Sequence, residues 1–76
     1  MEPKTVLVLL TDRWADWEPA YAIASINQYP EYTVRTVAAD KVPKISLGGL
    51  RTSIDHDIHE FASFANTAMV ILPGSY

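Results

Sequence analysis

KTVLVLLTDRWADWEPAYAIASIN (Lys4–Asn27) decides the fold, because its hydrophobic period changes halfway. Thr5–Leu10 is a short, nearly continuous apolar run with Val6 and Val8 in it. Such a run predicts a strand buried on both faces, as in a parallel sheet. Thr11–Trp17 is polar and aromatic and reads as a loop. From Pro19 onward Ala20, Ile23, Ala24 and Asn27 recur at helical spacing with Tyr21 beside them, which predicts a helix of two to three turns. Pro30 ends it, since proline cannot continue a helix and biases Tyr29 away from the α region.

Downstream, the same two patterns recur. Tyr32–Ala39 is β-branched and alternating and predicts a second strand. KISLGGLRTSID (Lys44–Asp55) reads as two short extended pieces around Gly48-Gly49, a hairpin or ribbon whose turn needs a positive φ. Asp57–Ala65 returns to helical spacing through Ile58, Phe61, Ala62 and Ala65, opened by Asp57 and Glu60 in a capping-box pattern. Ala68–Leu72 is a further buried strand, stopped by Pro73-Gly74-Ser75. The predicted order is β-α-β-(ββ)-α-β, a parallel α/β sheet of three main strands. Its open edge and uncovered apolar face imply completion by a carboxyl-terminal half or by a second copy of the chain.

Composition narrows the function classes. The 76 residues are 49% hydrophobic and carry a net charge of -3, which fits one small globular core and argues against nucleic acid as a partner. The longest apolar run, Val6–Leu10, is too short to span a membrane, and no cleavage-site pattern follows it. A cytoplasmic location is the expectation. Cysteine is absent, so this chain offers neither a thiol nucleophile nor a thiolate ligand.

Sites in open α/β sheets lie beyond the carboxyl ends of the strands. Two segments reach that rim: TDRWADWE (Thr11–Glu18) and PGSY (Pro73–Tyr76). Glu18 precedes a proline, so it reads as the N-cap with Pro19 at the first helical position, or else Asp16 caps a helix that starts at Trp17. Either way its carboxylate meets the positive end of a helix dipole. The simpler account is a dipole-pairing surface carboxylate; the functional one is a rim group that orients or deprotonates a nucleophile. Gly74 either makes a plain strand-to-helix turn or presents N–H groups to an oxyanion. His56 and His59, with Asp55 and Asp57 nearby, read as a solvated helix start, since a metal needs more ligands than these two histidines. Trp14 and Trp17 are expected to pack against the helix start and sheet edge, with substrate stacking the less favoured alternative. No metal or cofactor is expected.

Taken together, KTVLVLLTDRWADWEPAYAIASIN, YTVRTVAAD, ISLGGLRTSID and AMVILPGS resemble, in order and spacing, the amino-terminal half of the PfpI-type intracellular protease and protein deglycase family of the class I glutamine amidotransferase-like superfamily. The resemblance implies a flavodoxin-like three-layer sandwich with a mostly parallel sheet, of which residues 1–76 form the amino-terminal half. It implies a cysteine hydrolase, protease, amidase or deglycase in type, whose nucleophile stands in the second half, acting on a peptide or small molecule. Glu18 matches the family's thiol-contacting glutamate. Gly74 and Ser75 match its oxyanion turn, with Ser75 replacing a second glycine. Without the cysteine the chain alone is expected to be inactive. The alternatives are a non-enzymatic dimerising or chaperone-like module, and a receiver-type domain. The last is disfavoured because no acid ends the Val70–Leu72 strand.

Overall fold

The computed structural model describes residues 3–60 and 66–75. Along the chain run β1 (Lys4–Leu9), α1 (Trp17–Ile26), β2 (Tyr32–Ala38), β3 (Lys44–Ile45), β4 (Arg51–Thr52), β5 (His56–Asp57) and β6 (Thr67–Ile71). β5, β2, β1 and β6 form one sheet in that order, every neighbouring pair parallel. β3 and β4 form a separate antiparallel ribbon, with Gly49 at φ 85° in its turn, as the glycine pair predicts.

The buried character of β1 follows from its central place. Val6 lies opposite Val34 of β2 and Met69 of β6, and Val8 opposite Thr36 and Ile71. Val6, Leu7 and Val8 are buried although their side chains point to alternate faces. The core continues beyond the strand through Leu10, Trp14, Ala38 and Ile54, with Ile23 of α1, Val34 and Ile71 packed against it. The sheet therefore has four strands rather than the three expected. The addition, β5, extends β2 through Val37–His56 and Ala38–Asp57. Thr36 fixes its approach: the Thr36 N–H donates to the Asp55 carboxylate at 2.9 Å, and the Asp55 N–H donates back to the Thr36 hydroxyl at 2.9 Å.

The helix begins earlier than proline placement suggests. Asp16 stands at the N-cap and Trp17 opens the helix, so Glu18 and Pro19 are its second and third residues. Proline fits there because the first four N–H groups of a helix have no intrahelical acceptor. The inward face shifts accordingly. Pro19 is buried and Ala22, Ile23 and Ile26 are half-buried, whereas Ala20, Ala24 and Asn27 are exposed. This set follows the i, i+3, i+4, i+7 pattern of a helix laid on a core.

Of the helix expected over Asp57–Ala65, residues Phe61, Ala62 and Ala65 lie outside the described residues. Its first residue, Asp57, belongs to β5. One arm of the expected capping pair is present, as Glu60 accepts the Asp57 N–H at 3.2 Å, while the Asp57 carboxylate accepts the His59 N–H at 2.8 Å and the Glu60 N–H donates to the Asp57 carbonyl at 3.1 Å. Among the described residues no helix is long and apolar enough to cross a membrane.

Candidate active site at the carboxyl rim of the sheet

Two chain segments leave the carboxyl ends of adjacent strands side by side. One is the loop from Leu10 to Asp16 after β1; the other is the turn Leu72–Ser75 after β6. They are stitched together. The Ala15 N–H donates to the Gly74 carbonyl at 2.9 Å, the Ser75 hydroxyl donates to the Asp12 carbonyl at 2.6 Å, and Trp14 and Ser75 form an antiparallel bridge. On its other edge the same loop holds the ribbon: the Arg13 N–H donates to the Ile45 carbonyl at 2.8 Å and the Leu47 N–H to the Trp14 carbonyl at 3.0 Å. Arg13 takes φ 62°, a left-handed conformation uncommon for a residue with a side chain.

Glu18 projects from the first turn of α1 onto the turn after β6. Its carboxylate accepts the Gly74 N–H at 2.6 Å. The three candidates named by the sequence, Glu18, Gly74 and Ser75, are therefore brought to one place. The Gly74 N–H is taken by Glu18. The approach is also tight, since a Cβ at Gly74 would lie 3.0 Å from Glu18 Oε2 and 3.1 Å from Oε1. Gly74→Ala should push the carboxylate aside rather than break the fold, because the obstructing atoms end a flexible side chain. Hydrogen exchange at amide 74 should accelerate while the urea midpoint moves little; an amide that stays protected would contradict this geometry.

The two tryptophans part company. Trp14 is buried in the core, as expected, whereas Trp17 is 62% exposed. Asp16, weighed only as a cap, makes no side-chain cap bond. It accepts instead the Ser46 hydroxyl at 2.5 Å and the Gly48 N–H at 2.9 Å, a link across 30 residues of sequence. Nothing local in the sequence marks that partnership.

The histidines lie elsewhere, at β5. Glu60 binds the Lys41 ammonium at 2.8 Å through one oxygen and His56 Nδ1 at 2.9 Å through the other. The described residues contain no group of three or more potential metal ligands. The Lys41 ammonium first, then His56 and the Asp57 N–H, hold the Glu60 carboxyl at about 2, against an ordinary 4.5. A depressed folded-state value means that the unfolded chain takes up the proton first as pH falls. Glu60 therefore contributes stability above pH 4.5 that is lost progressively toward pH 2. In Glu60→Gln the slope of urea midpoint against pH across that window should flatten; an unchanged slope would show that other carboxylates carry it.

No protein-family model matches the chain. It is 40% identical over 55 residues to an uncharacterized protease, YdeA, of Bacillus subtilis, a match spanning 72% of this chain and 27% of that protein. A ThiJ/PfpI family protein from Bacillus anthracis superimposes on all of the chain with a TM-score of 0.82 at 29% identity, over 39% of its own length. A DJ-1 superfamily protein from Agrobacterium tumefaciens matches the fold over 95% of the chain, with a TM-score of 0.80 at 24% identity, over 38% of its own length. The chain thus spans about a quarter of the curated relative and under two fifths of these two solved structures. In sequence it is similar to part of a protein named as a protease, and in fold to part of a ThiJ/PfpI family protein.

Proposed function

We propose that this chain supplies one half of the site of a PfpI-type cysteine hydrolase, a protease, amidase or deglycase, and that it is inactive alone. The observation that carries this reading is the 2.6 Å contact between Glu18 and the Gly74 N–H at the carboxyl rim of a parallel sheet. That is where open α/β sheets place their ligands. The likeness to a protein named as a protease supports the reaction class. In this reading Glu18 orients, or exchanges a proton with, a thiol contributed by the remainder of the domain. The backbone of the Gly74-Ser75 turn faces the developing oxyanion. The substrate is a peptide or a small molecule. The test is a Glu18→Gln exchange in the full-length protein, assayed for peptide, amide and glycated-amine hydrolysis. Full retained activity in an otherwise active enzyme ends the reading.

A second reading, a dimerising or chaperone-like module, is favoured by one observation. β6 ends the sheet among the described residues, and Met69, Val70 and Leu72 there are 49%, 51% and 68% exposed. An unpaired strand carrying apolar side chains is a template for association. Light scattering on the isolated chain decides it: a folded monomer at high concentration removes this alternative.

A further inference from the structure

We infer that Asp16 is a positioning residue, whose carboxylate fastens the β3–β4 ribbon to the start of α1 and thereby fixes where Glu18 meets Gly74. Aspartate at an N-cap ordinarily accepts an N–H from the first helical turn, with its own backbone in the β region. Asp16 does neither. Its φ and ψ are -53° and -39°, and it makes no side-chain cap bond. Both oxygens turn outward to the ribbon, Oδ2 to the Ser46 hydroxyl and Oδ1 to the Gly48 N–H. Ser46 is itself buried, and its oxygen accepts the Leu50 N–H at 3.0 Å, so the hydroxyl joins both arms of the ribbon to one carboxylate. Gly48 sits so close that a Cβ would lie 2.9 Å from Asp16 Oδ2.

The consequence comes from what lies on either side. Ribbon, loop and turn form three adjacent layers: Ile45 and Leu47 pair with Arg13 and Trp14, and Ala15 in turn pairs with Gly74. Backbone bonds at Ile45 and Leu47 hold the ribbon to the loop, and such a short ladder permits tilt. The carboxylate adds bonds at Ser46 and Gly48, interleaved with these, from a residue one after Ala15 and two before Glu18. A contact of 2.6 Å loses strength steeply with small displacements or misalignment. Freeing the ribbon therefore loosens the Glu18–Gly74 pair without touching either residue. The Ser46 hydrogen bond, more than the Gly48 N–H, holds the Asp16 carboxyl below its ordinary range, so the clamp persists at mildly acidic pH.

The inference rests on the reading of Glu18 as the site carboxylate, but its test needs no substrate. In 15N-labelled protein the Gly74 amide proton reports the contact with Glu18, and Glu18→Ala gives its position when that contact is gone. Ser46→Ala and Asp16→Ala are expected to move the Gly74 amide at least about half of that distance, with Asp16→Asn, which retains one acceptor for Gly48, between them and wild type. The β1 amides of Val6 and Val8 should stay in place. A Gly74 amide unmoved in folded Ser46→Ala overturns the inference, whether or not Asp16→Ala folds. So does a Gly74 shift matched by shifts throughout β1, which marks a merely structural role. An unmoved amide leaves the functional reading standing, and a fully active Glu18→Gln enzyme ends that reading while leaving the amide result intact.

Discussion

In the full-length protein, Glu18→Gln is expected to lower kcat/KM by about 10²–10⁴-fold, the range for loss of a positioned acid or base. Glutamine is the informative replacement because it keeps the geometry. Its amide oxygen still accepts the Gly74 N–H that Glu18 accepts at 2.6 Å, so the turn after β6 should hold its place. What disappears is the capacity to exchange a proton or to carry charge at the positive end of α1. Glu18→Ala removes the contact as well, and any additional loss measures positioning alone. Glu18 is exposed, so neither exchange should shift the urea midpoint much. Activity within twofold of wild type in Glu18→Gln would assign Glu18 to the surface, as a dipole-pairing carboxylate.

The parts of this site differ in how far the sequence discloses them, and the difference is physical. β1, β2 and β6 were legible because each is an apolar or β-branched run long enough to register, although β6, expected to be buried, lies with Ala68, Met69 and Val70 exposed among the described residues. β5 was not, since two residues, His56 and Asp57, carry no period; their place comes from pairing with Val37 and Ala38. Of the two helix starts that the sequence left open, the one at Trp17 after Asp16 is observed rather than the one at Pro19, because a proline lacks an N–H to equal effect at the first and third helical positions. Moving the start rotated the inward face from Ala20 and Ala24 to Pro19, Ala22 and Ile26. Strand topology placed Glu18 and the Gly74-Ser75 turn at one rim, and resemblance to a family joined the two segments, 56 residues apart, into one site. Composition and spacing left each with a simpler explanation. The Asp16–Ser46 link had no such guide, as a serine and an aspartate in separate loops are ordinary polar residues until the fold sets them at 2.5 Å.

Trp14→Ala is expected to be the most damaging single exchange for the fold. Trp14 is 8% exposed and packs in one cluster with Val8, Leu10, Ala38 and Ile54. Its main chain carries the ribbon through Leu47 and the rim turn through Ser75, so one residue joins core to site. Truncating a buried tryptophan costs about 3–5 kcal/mol, while domains hold only about 5–15 kcal/mol, and small ones bury the least surface with which to recover. Cooperative urea unfolding should be lost or shifted to very low denaturant. Trp14→Phe separates packing from polarity. The indole N–H is buried with no hydrogen-bond partner among the described residues, and an unpaired buried donor costs about 1–3 kcal/mol. Phenylalanine gives up part of the apolar area but also removes that donor, so the two changes oppose each other, leaving a net loss of about 1–2 kcal/mol at most. Fluorescence reports both variants, because Trp17, 62% exposed, is then the remaining tryptophan and should emit as a solvated indole. An unchanged midpoint in Trp14→Ala would remove Trp14 from the core. A loss in Trp14→Phe as large as in Trp14→Ala would mean that the indole N–H does have an acceptor and that the rim is held through that bond.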